Sequence, residues 1–151
     1  INQFGTSHAI AEMATTAEKL GYSGVFVTDH PAPPKSFLNN GGHHTLDPMI
    51  TLAAAATTTT KIQLLTNLYI VAYRNPFLVA KMVASLDNLS FGRLILGVGA
   101  GYLREEFQAV GVDYENRGQL LNDHLEIMKQ AWTGNPREAQ VFPAFEAFLA
   151  L

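Results

Sequence analysis

The segment NPFLVAKMVASLDNLSFGRLILGVGAG, residues 75–101, decides the fold. Asn75 followed by Pro76 is typical of a helix start, because asparagine caps free amides and proline is tolerated at the first helical position. Gly92 ends the predicted helix, and residues 93–101 then form an apolar run that predicts a buried strand. A helix that leads directly into a buried strand is typical of a parallel sheet with helical crossovers.

The same pattern continues on both sides of this segment. Apolar residues at helical spacing predict further helices at residues 7–20, 47–58 and 115–134. Continuous apolar runs predict further strands at residues 24–28 and 61–71. Because the strands are apolar throughout rather than alternating, both faces of the sheet are expected to be covered. Two α/β architectures fit, a doubly wound sheet and part of a (β/α)8 barrel.

The composition is that of one globular domain, with 151 residues of which 48% are hydrophobic and 15% charged. A net charge of −3 without a basic cluster argues against nucleic acid and anionic membrane surfaces as partners. No signal peptide or membrane-spanning segment is evident, so a cytoplasmic protein is expected. Without cysteine there is no disulfide, thiolate nucleophile or cysteine-bound metal. The chain starts with Ile1, so its true start is expected to lie upstream.

Polar and glycine-rich segments follow the three predicted strands. They are Asp29-His30, TNLYIVAYRNP (residues 66–76) and GVGAGYLREE (residues 97–106). In parallel α/β folds, ligands bind at the carboxyl ends of the strands, on the loops that lead into the next helices. The convergence of these segments therefore predicts a binding site at that end of the sheet.

Each of these segments also has a purely structural interpretation. Asp29 and His30 fit either an ordinary strand-end turn or a histidine that exchanges a proton with a bound ligand. The alternating Gly97, Gly99 and Gly101 suit either anion binding through their amides or close packing inside a barrel. They do not form the G-x-G-x-x-G fingerprint of dinucleotide-binding proteins.

Two further groups of polar residues lie in the predicted loops. His43 and His44 lie near Asp47 in the sequence, but adjacent histidines on a loop usually point apart, so no metal site is predicted. Arg74 is interpreted either as a partner for an anionic group or as an exposed residue before a helix cap.

Several motifs in one order carry a resemblance to a known family. They include LGYSGVFVTDH (residues 20–30) and the long run from TLDPMITLAAAA to HLEIMKQAWTG (residues 45–134). From about residue 7 to Gly134 the chain resembles the bacterial luciferase-like monooxygenase family. Within that family it is most similar to the branch of oxidoreductases that depend on the deazaflavin coenzyme F420.

The resemblance implies a fold, a cofactor position and a set of site residues. The family folds as (β/α)8 barrels that bind a flavin or deazaflavin at the carboxyl ends of the strands. The implied catalytic residue is His30, near the reactive edge of the ring, and a bulge or non-prolyl cis peptide is expected at Asn67–Leu68. The implied cofactor-binding residues are Asp29, Thr66, Asn67, Leu68, Ala100, Gly101 and Tyr102.

The implied activity is hydride transfer between coenzyme F420 and a small organic substrate. The alternatives are an FMN-dependent monooxygenase of the same family and a non-catalytic half-barrel that associates with copies of itself. Tyr102 occupies the position of a glutamate in the family's sugar-phosphate dehydrogenases, which argues against glucose-6-phosphate dehydrogenase activity. A homodimer or another homo-oligomer is expected.

The chain departs from the family in length. A complete (β/α)8 barrel is about twice as long, so residues 1–134 are expected to form roughly the first half of the barrel. The first strand of the family is absent or reduced to residues 1–4, INQF. Residues 135–151 do not resemble the family's next segment and are predicted as an atypical tail, a loop followed by a short apolar helix.

Overall fold

The computed structural model describes residues 5–133, in which helices alternate with strands. The helices are α1 (Ser7–Lys19), α2 (Lys35–Asn39), α3 (Pro48–Ala56), α4 (Pro76–Leu89), α5 (Arg104–Ala109) and α6 (Arg117–Thr133). The strands are β1 (Gly24–Val27), β2 (Gln63–Thr66) and β3 (Leu94–Ile95), and Val71–Tyr73 form a 3₁₀ turn. Residues 1–4, to which the family's first strand is at most reduced, and the predicted tail at 135–151 lie outside the described residues.

The strands form one parallel sheet in the order β1-β2-β3. Val25 pairs with Leu64, which in turn pairs with Leu94, and a bridge between Tyr69 and Val98 prolongs the contact between the second and third strand segments. The prediction of a parallel sheet in chain order is confirmed. Because the strand order does not reverse, it matches that of consecutive strands in a (β/α)8 barrel.

The helices cover one face of the sheet. Leu64 is fully buried on that face, in a core formed with α1, α3 and α4, and α6 adds Met128 to the same core. On the opposite face Phe26 and Ile95 are 61% and 41% exposed. The prediction that both faces are covered is therefore wrong for the described residues, because the continuous apolar runs include side chains that no described helix covers.

The predicted helix starts are confirmed by their capping contacts. The Asn75 side chain accepts hydrogen bonds from the amides of Phe77 and Leu78, and Pro76 occupies the first turn of α4. Asp47 caps α3 in the same way. No helix within residues 5–133 combines the length and the apolar character that a membrane crossing requires.

The predicted strands are shorter than their apolar runs. The run at 61–71 contributes only Gln63–Thr66 to the sheet, and the run at 93–101 contributes only Leu94–Ile95. Beyond these pairs a single bridge between Tyr69 and Val98 continues the pairing, and Gly97 and Gly99 pack against Thr66, Leu68 and Ile70. The short helices α2 and α5 lie inside segments predicted as loops, and their few turns give little periodic signal.

Replacing Gly97 with alanine is expected to lower the free energy of unfolding by about 1–3 kcal/mol, the usual cost of overpacking. A Cβ atom at this position would lie 2.3 Å from the Thr66 carbonyl oxygen, and a backbone atom cannot move aside cheaply. Urea denaturation measures the free energy of unfolding of Gly97→Ala, with Gly118→Ala as the control variant. Gly118 lies in α6, and a Cβ atom added there would meet no other atom within 4 Å, so its replacement should not cost stability. Equal stability of the two variants would contradict the packing role of Gly97.

Candidate functional site

A cleft of about 440 Å³ lies at the carboxyl ends of the three strands. Its walls come from the loop after β1, from the end of β2 and from the glycine-rich segment after β3. All of the predicted site residues except Thr66 line it, namely Asp29, His30, Asn67, Leu68, Ala100, Gly101 and Tyr102. The structure thus brings together residues that follow three separate strands in the sequence.

Thr66 lies behind the wall of the cleft. Its side chain is fully buried, and its hydroxyl donates a hydrogen bond of 2.8 Å to the carbonyl oxygen of Gly97. Thr66 therefore holds β2 against the glycine-rich segment and presents no atom to the cleft.

One wall of the cleft is apolar. A cis peptide bond joins Asn67 to Leu68, which confirms the predicted bulge or cis peptide, and the Leu68 side chain lines the cleft while remaining 46% exposed. The amides of Gly97 and Gly99 donate to the carbonyl oxygens of Ile95 and Tyr69. These two amides are therefore already satisfied, which favours the packing interpretation of the glycines over anion binding.

The Asp29 carboxylate is engaged within the protein. It is 4% exposed, accepts two hydrogen bonds from the Arg74 guanidinium at 2.7 and 2.8 Å, and accepts a third from the Ile70 amide at 3.0 Å. Of the two interpretations of Arg74, the structure shows the partner of an anionic group, and that group is the Asp29 carboxylate. Arg74 also lies 4.3 Å over the Tyr69 ring, and burial raises the pKa of the Tyr69 phenol. The pair joins the loop after β1 to the chain that leads into α4.

A second buried carboxylate, that of Glu106, lies behind His30. Its Oε2 atom is 3.3 Å from the His30 Nδ1 atom and 3.1 Å from the Tyr73 hydroxyl oxygen, and its Oε1 atom accepts from the Ala32 amide at 3.3 Å. Glu106 is 1% exposed. The sequence gives no signal for this contact, because an acidic residue in the first turn of a helix is ordinarily interpreted as favourable to the helix dipole.

Tyr73 donates its phenolic hydrogen to Glu106. Burial raises the pKa of Tyr73, and the charge and the hydrogen bond of Glu106 raise it further. Tyr73 therefore remains a protonated donor throughout the pH range in which proteins are usually studied.

Aromatic rings surround His30 at the mouth of the cleft. Ring centroids of Phe37, His43 and Tyr102 lie 4.8, 5.4 and 6.1 Å from that of His30. The His43 Nε2 atom is 2.8 Å from the Thr28 hydroxyl oxygen, and His43 lines the cleft. Among residues 5–133 no group of three or more histidine and carboxylate side chains is placed to hold a metal ion.

The fold and the cleft define a parallel α/β protein with a cleft at the carboxyl ends of its strands, the end at which such folds bind their ligands. The sequence profile of the luciferase-like monooxygenase family matches residues 3–145, so the chain belongs to that family, as its motifs indicated. The match continues past Gly134 into the segment that the sequence analysis left unassigned.

Similar proteins include an F420-dependent dehydrogenase and a monooxygenase. An uncharacterized protein of Mycobacterium tuberculosis is 33% identical over 135 residues, which cover 82% of this chain and 48% of that protein. An F420-dependent glucose-6-phosphate dehydrogenase of Gordonia bronchialis is 31% identical over 83% of this chain and 38% of its own length. The crystal structure of monooxygenase RslO1 from Streptomyces bottropensis matches with a TM-score of 0.73 and 27% identity, covering 85% of this chain and 38% of that one. The chain spans half or less of the length of these proteins.

Proposed function

We propose that this chain is the amino-terminal part of a luciferase-like oxidoreductase that transfers a hydride between coenzyme F420 and a small organic substrate. The observation that carries the proposal is the placement of His30, Leu68 and Gly101 around one cleft, although they follow different strands. The similarity to an F420-dependent dehydrogenase supports the choice of cofactor. The (β/α)8 barrel is part of the same proposal, with residues 1–134 as roughly its first half.

The cleft fits a flat ring system. Its volume of about 440 Å³ lies within the range of small-molecule sites. Leu68, Ile70 and the backbone at Gly99 provide an apolar wall, and His30 provides a polar group at the mouth. In this arrangement the apolar wall and the segment 100–102 would hold the ring, while Asp29 supports the loop that carries His30 without contacting a ligand directly.

A deazaflavin, when bound, supplies the hydride-accepting or hydride-donating carbon. The chain's own contribution is the control of a proton. His30 Nε2 has no hydrogen-bond partner among residues 5–133, so it is available to give a proton to a substrate oxygen or to take one from it. Tyr102 and Phe37 flank the imidazole and limit the access of water to it.

An FMN-dependent monooxygenase is the second candidate, favoured by the likeness to monooxygenase RslO1. The third, a self-associating half-barrel, is favoured by the exposed Phe26 and Ile95 on the open sheet face. The homo-oligomeric state, the cytoplasmic location and the boundary at residue 134 stay predictions.

Titration of the purified protein with coenzyme F420 and with FMN, followed by fluorescence, tests the proposal. We expect saturable binding of F420 that is tighter than that of FMN, and at least a tenfold loss of affinity in Leu68→Asp, equivalent to about 1.4 kcal/mol. A carboxylate in the apolar wall would have to be desolvated by the ring. The matched control is Leu78→Asp, since Leu78 is 63% exposed on α4 and does not line the cleft.

The outcomes separate the candidates. Tighter binding of FMN would favour the monooxygenase, and equal affinities of the Leu68 and Leu78 variants would place the ring elsewhere. A folded protein that binds neither cofactor would favour the non-catalytic half-barrel.

A further inference from the structure

We propose that Glu106 is a positioning residue, which fixes the tautomer of His30 so that the imidazole presents an unprotonated Nε2 atom to the cleft. Glu106 itself is almost fully buried and does not need to contact a ligand. The arrangement links the first helical turn of α5 with the loop after β1 and with the 3₁₀ turn after β2.

Three donors converge on the Glu106 carboxyl group. The Ala32 backbone N–H can only donate, and it occupies Oε1 at 3.3 Å. The Tyr73 hydroxyl and the His30 Nδ1 atom share Oε2, at 3.1 and 3.3 Å. An ionised carboxyl group accepts hydrogen bonds only, so all three contacts are satisfied together when Nδ1 carries a hydrogen.

This pattern determines the state of the other ring nitrogen. A neutral imidazole carries one hydrogen, so a hydrogen on Nδ1 leaves Nε2 as an acceptor. Among residues 5–133 no group bonds to Nε2, and His30 lines the cleft. Nε2 is thus the ring nitrogen that exchanges a proton with a ligand.

Tyr73 keeps Glu106 in place. Its ring packs against Phe107 at a centroid distance of 4.7 Å, and its hydroxyl donates to the same carboxylate oxygen as His30. Because burial and the neighbouring carboxylate raise the pKa of Tyr73, this donor is retained as the pH rises through neutrality. Tyr73 therefore fixes the position of the Glu106 carboxylate, and the carboxylate in turn orients the His30 imidazole.

The neighbouring charged groups do not duplicate this role. The Asp29 carboxylate is occupied by Arg74 and by the Ile70 amide. His43 meets His30 edge-on at 5.4 Å between ring centroids, and its own Nε2 is bonded to Thr28. Among the described residues Glu106 is consequently the carboxylate that contacts His30.

The test is ¹⁵N NMR of protein with labelled histidine, which reports the hydrogen position on each ring nitrogen. We expect the Nδ1–H tautomer for neutral His30 in the parent protein. The same tautomer is expected in the control variant Glu105→Gln, because Glu105 is exposed on the same helix as Glu106. In Glu106→Gln we expect a mixture that contains the Nε2–H tautomer, because one orientation of the amide places its NH2 group, which can only donate, against His30 Nδ1, and the other places it against the Ala32 N–H. An unchanged Nδ1–H tautomer in a folded Glu106→Gln protein would overturn the proposal.

Turnover provides the second measurement and rests on the proposed function. A carboxylate that sets the tautomer of a catalytic histidine is worth up to about 10⁴-fold in kcat in serine proteases. Here we expect kcat to fall at least tenfold in Glu106→Gln while KM stays within about twofold, with Glu105→Gln at the parent values. If Glu106→Gln lost the tautomer preference but kept the kcat of the parent protein, the role of Glu106 in catalysis would be contradicted. Failure of the proposed function would appear separately, as a protein whose cleft binds neither F420 nor FMN.

Discussion

Arg74→Leu is expected to lower the free energy of unfolding by about 3 kcal/mol, at the lower end of the range for breaking a buried ion pair. The substitution would leave the Asp29 carboxylate with the Ile70 amide as its remaining partner, in a site where Asp29 is only 4% exposed. The penalty arises from the uncompensated buried charge more than from the lost attraction. The Arg74 side chain is partly open to solvent, which keeps the expected effect at the lower end.

Urea denaturation of matched variants measures this effect. Arg104→Leu is the control, because Arg104 and Glu115 form an ion pair whose side chains are both exposed, and such pairs contribute little. The double variant Asp29→Asn with Arg74→Leu removes the buried charge together with its partner and should recover part of the loss. If Arg74→Leu proved no more destabilising than Arg104→Leu, the pair would not brace the cleft.

His30→Ala is expected to reduce turnover by roughly 10²–10⁴-fold in the full-length protein with its cofactor, the range typical of general acid–base catalysis. His30 lines the cleft, its Nδ1 atom is held by Glu106, and its Nε2 atom has no hydrogen-bond partner among residues 5–133. Cofactor affinity should change much less than turnover, because the apolar wall at Leu68 is untouched. The measurement is single-turnover kinetics together with a cofactor titration.

His44→Ala is the matched control for that experiment. His44 is exposed, follows His43 in the same loop and does not line the cleft, so its loss should leave turnover unchanged. Equal turnover of the His30 and His44 variants would mean that His30 is an ordinary strand-end residue.

The location of the cleft could be predicted from the sequence because parallel strands end at a common edge. If residues 24–28, 61–71 and 93–101 are parallel strands, Asp29, Asn67 and Gly101 have to lie near one another. The resemblance added the cis peptide at Asn67–Leu68, which no apolar pattern indicates.

The partners of the polar side chains could not be predicted in the same way. Asp29 and Arg74 are 45 residues apart in the chain, and His30 and Glu106 are 76 residues apart. Neither spacing leaves a periodic signal, since each contact depends on how loops close over the end of the sheet. The resemblance implies Asp29 as a cofactor-binding residue, but the sequence gives no sign that its carboxylate accepts hydrogen bonds from Arg74 and from the Ile70 amide.

The sequence also could not predict that one face of the sheet is left uncovered by the described helices. A continuous apolar run reports that a strand avoids water, but not which part of the molecule covers each face. Phe26 and Ile95 have the same apolar character as Leu64, yet only Leu64 has helices packed on it.

Under the proposed function, the contact between His30 and Glu106 also sets a minimum length for a piece of the chain that could transfer a proton. A piece of the chain that stopped at Leu103 would retain all three strands, His30, the apolar wall at Leu68 and Gly99, and the segment 100–102. It would lack α5, and with it the carboxylate that orients the imidazole. Such a piece would keep a surface on which a ring could rest while its histidine turned freely, so ligand retention and proton transfer are separable properties with different boundaries along the chain.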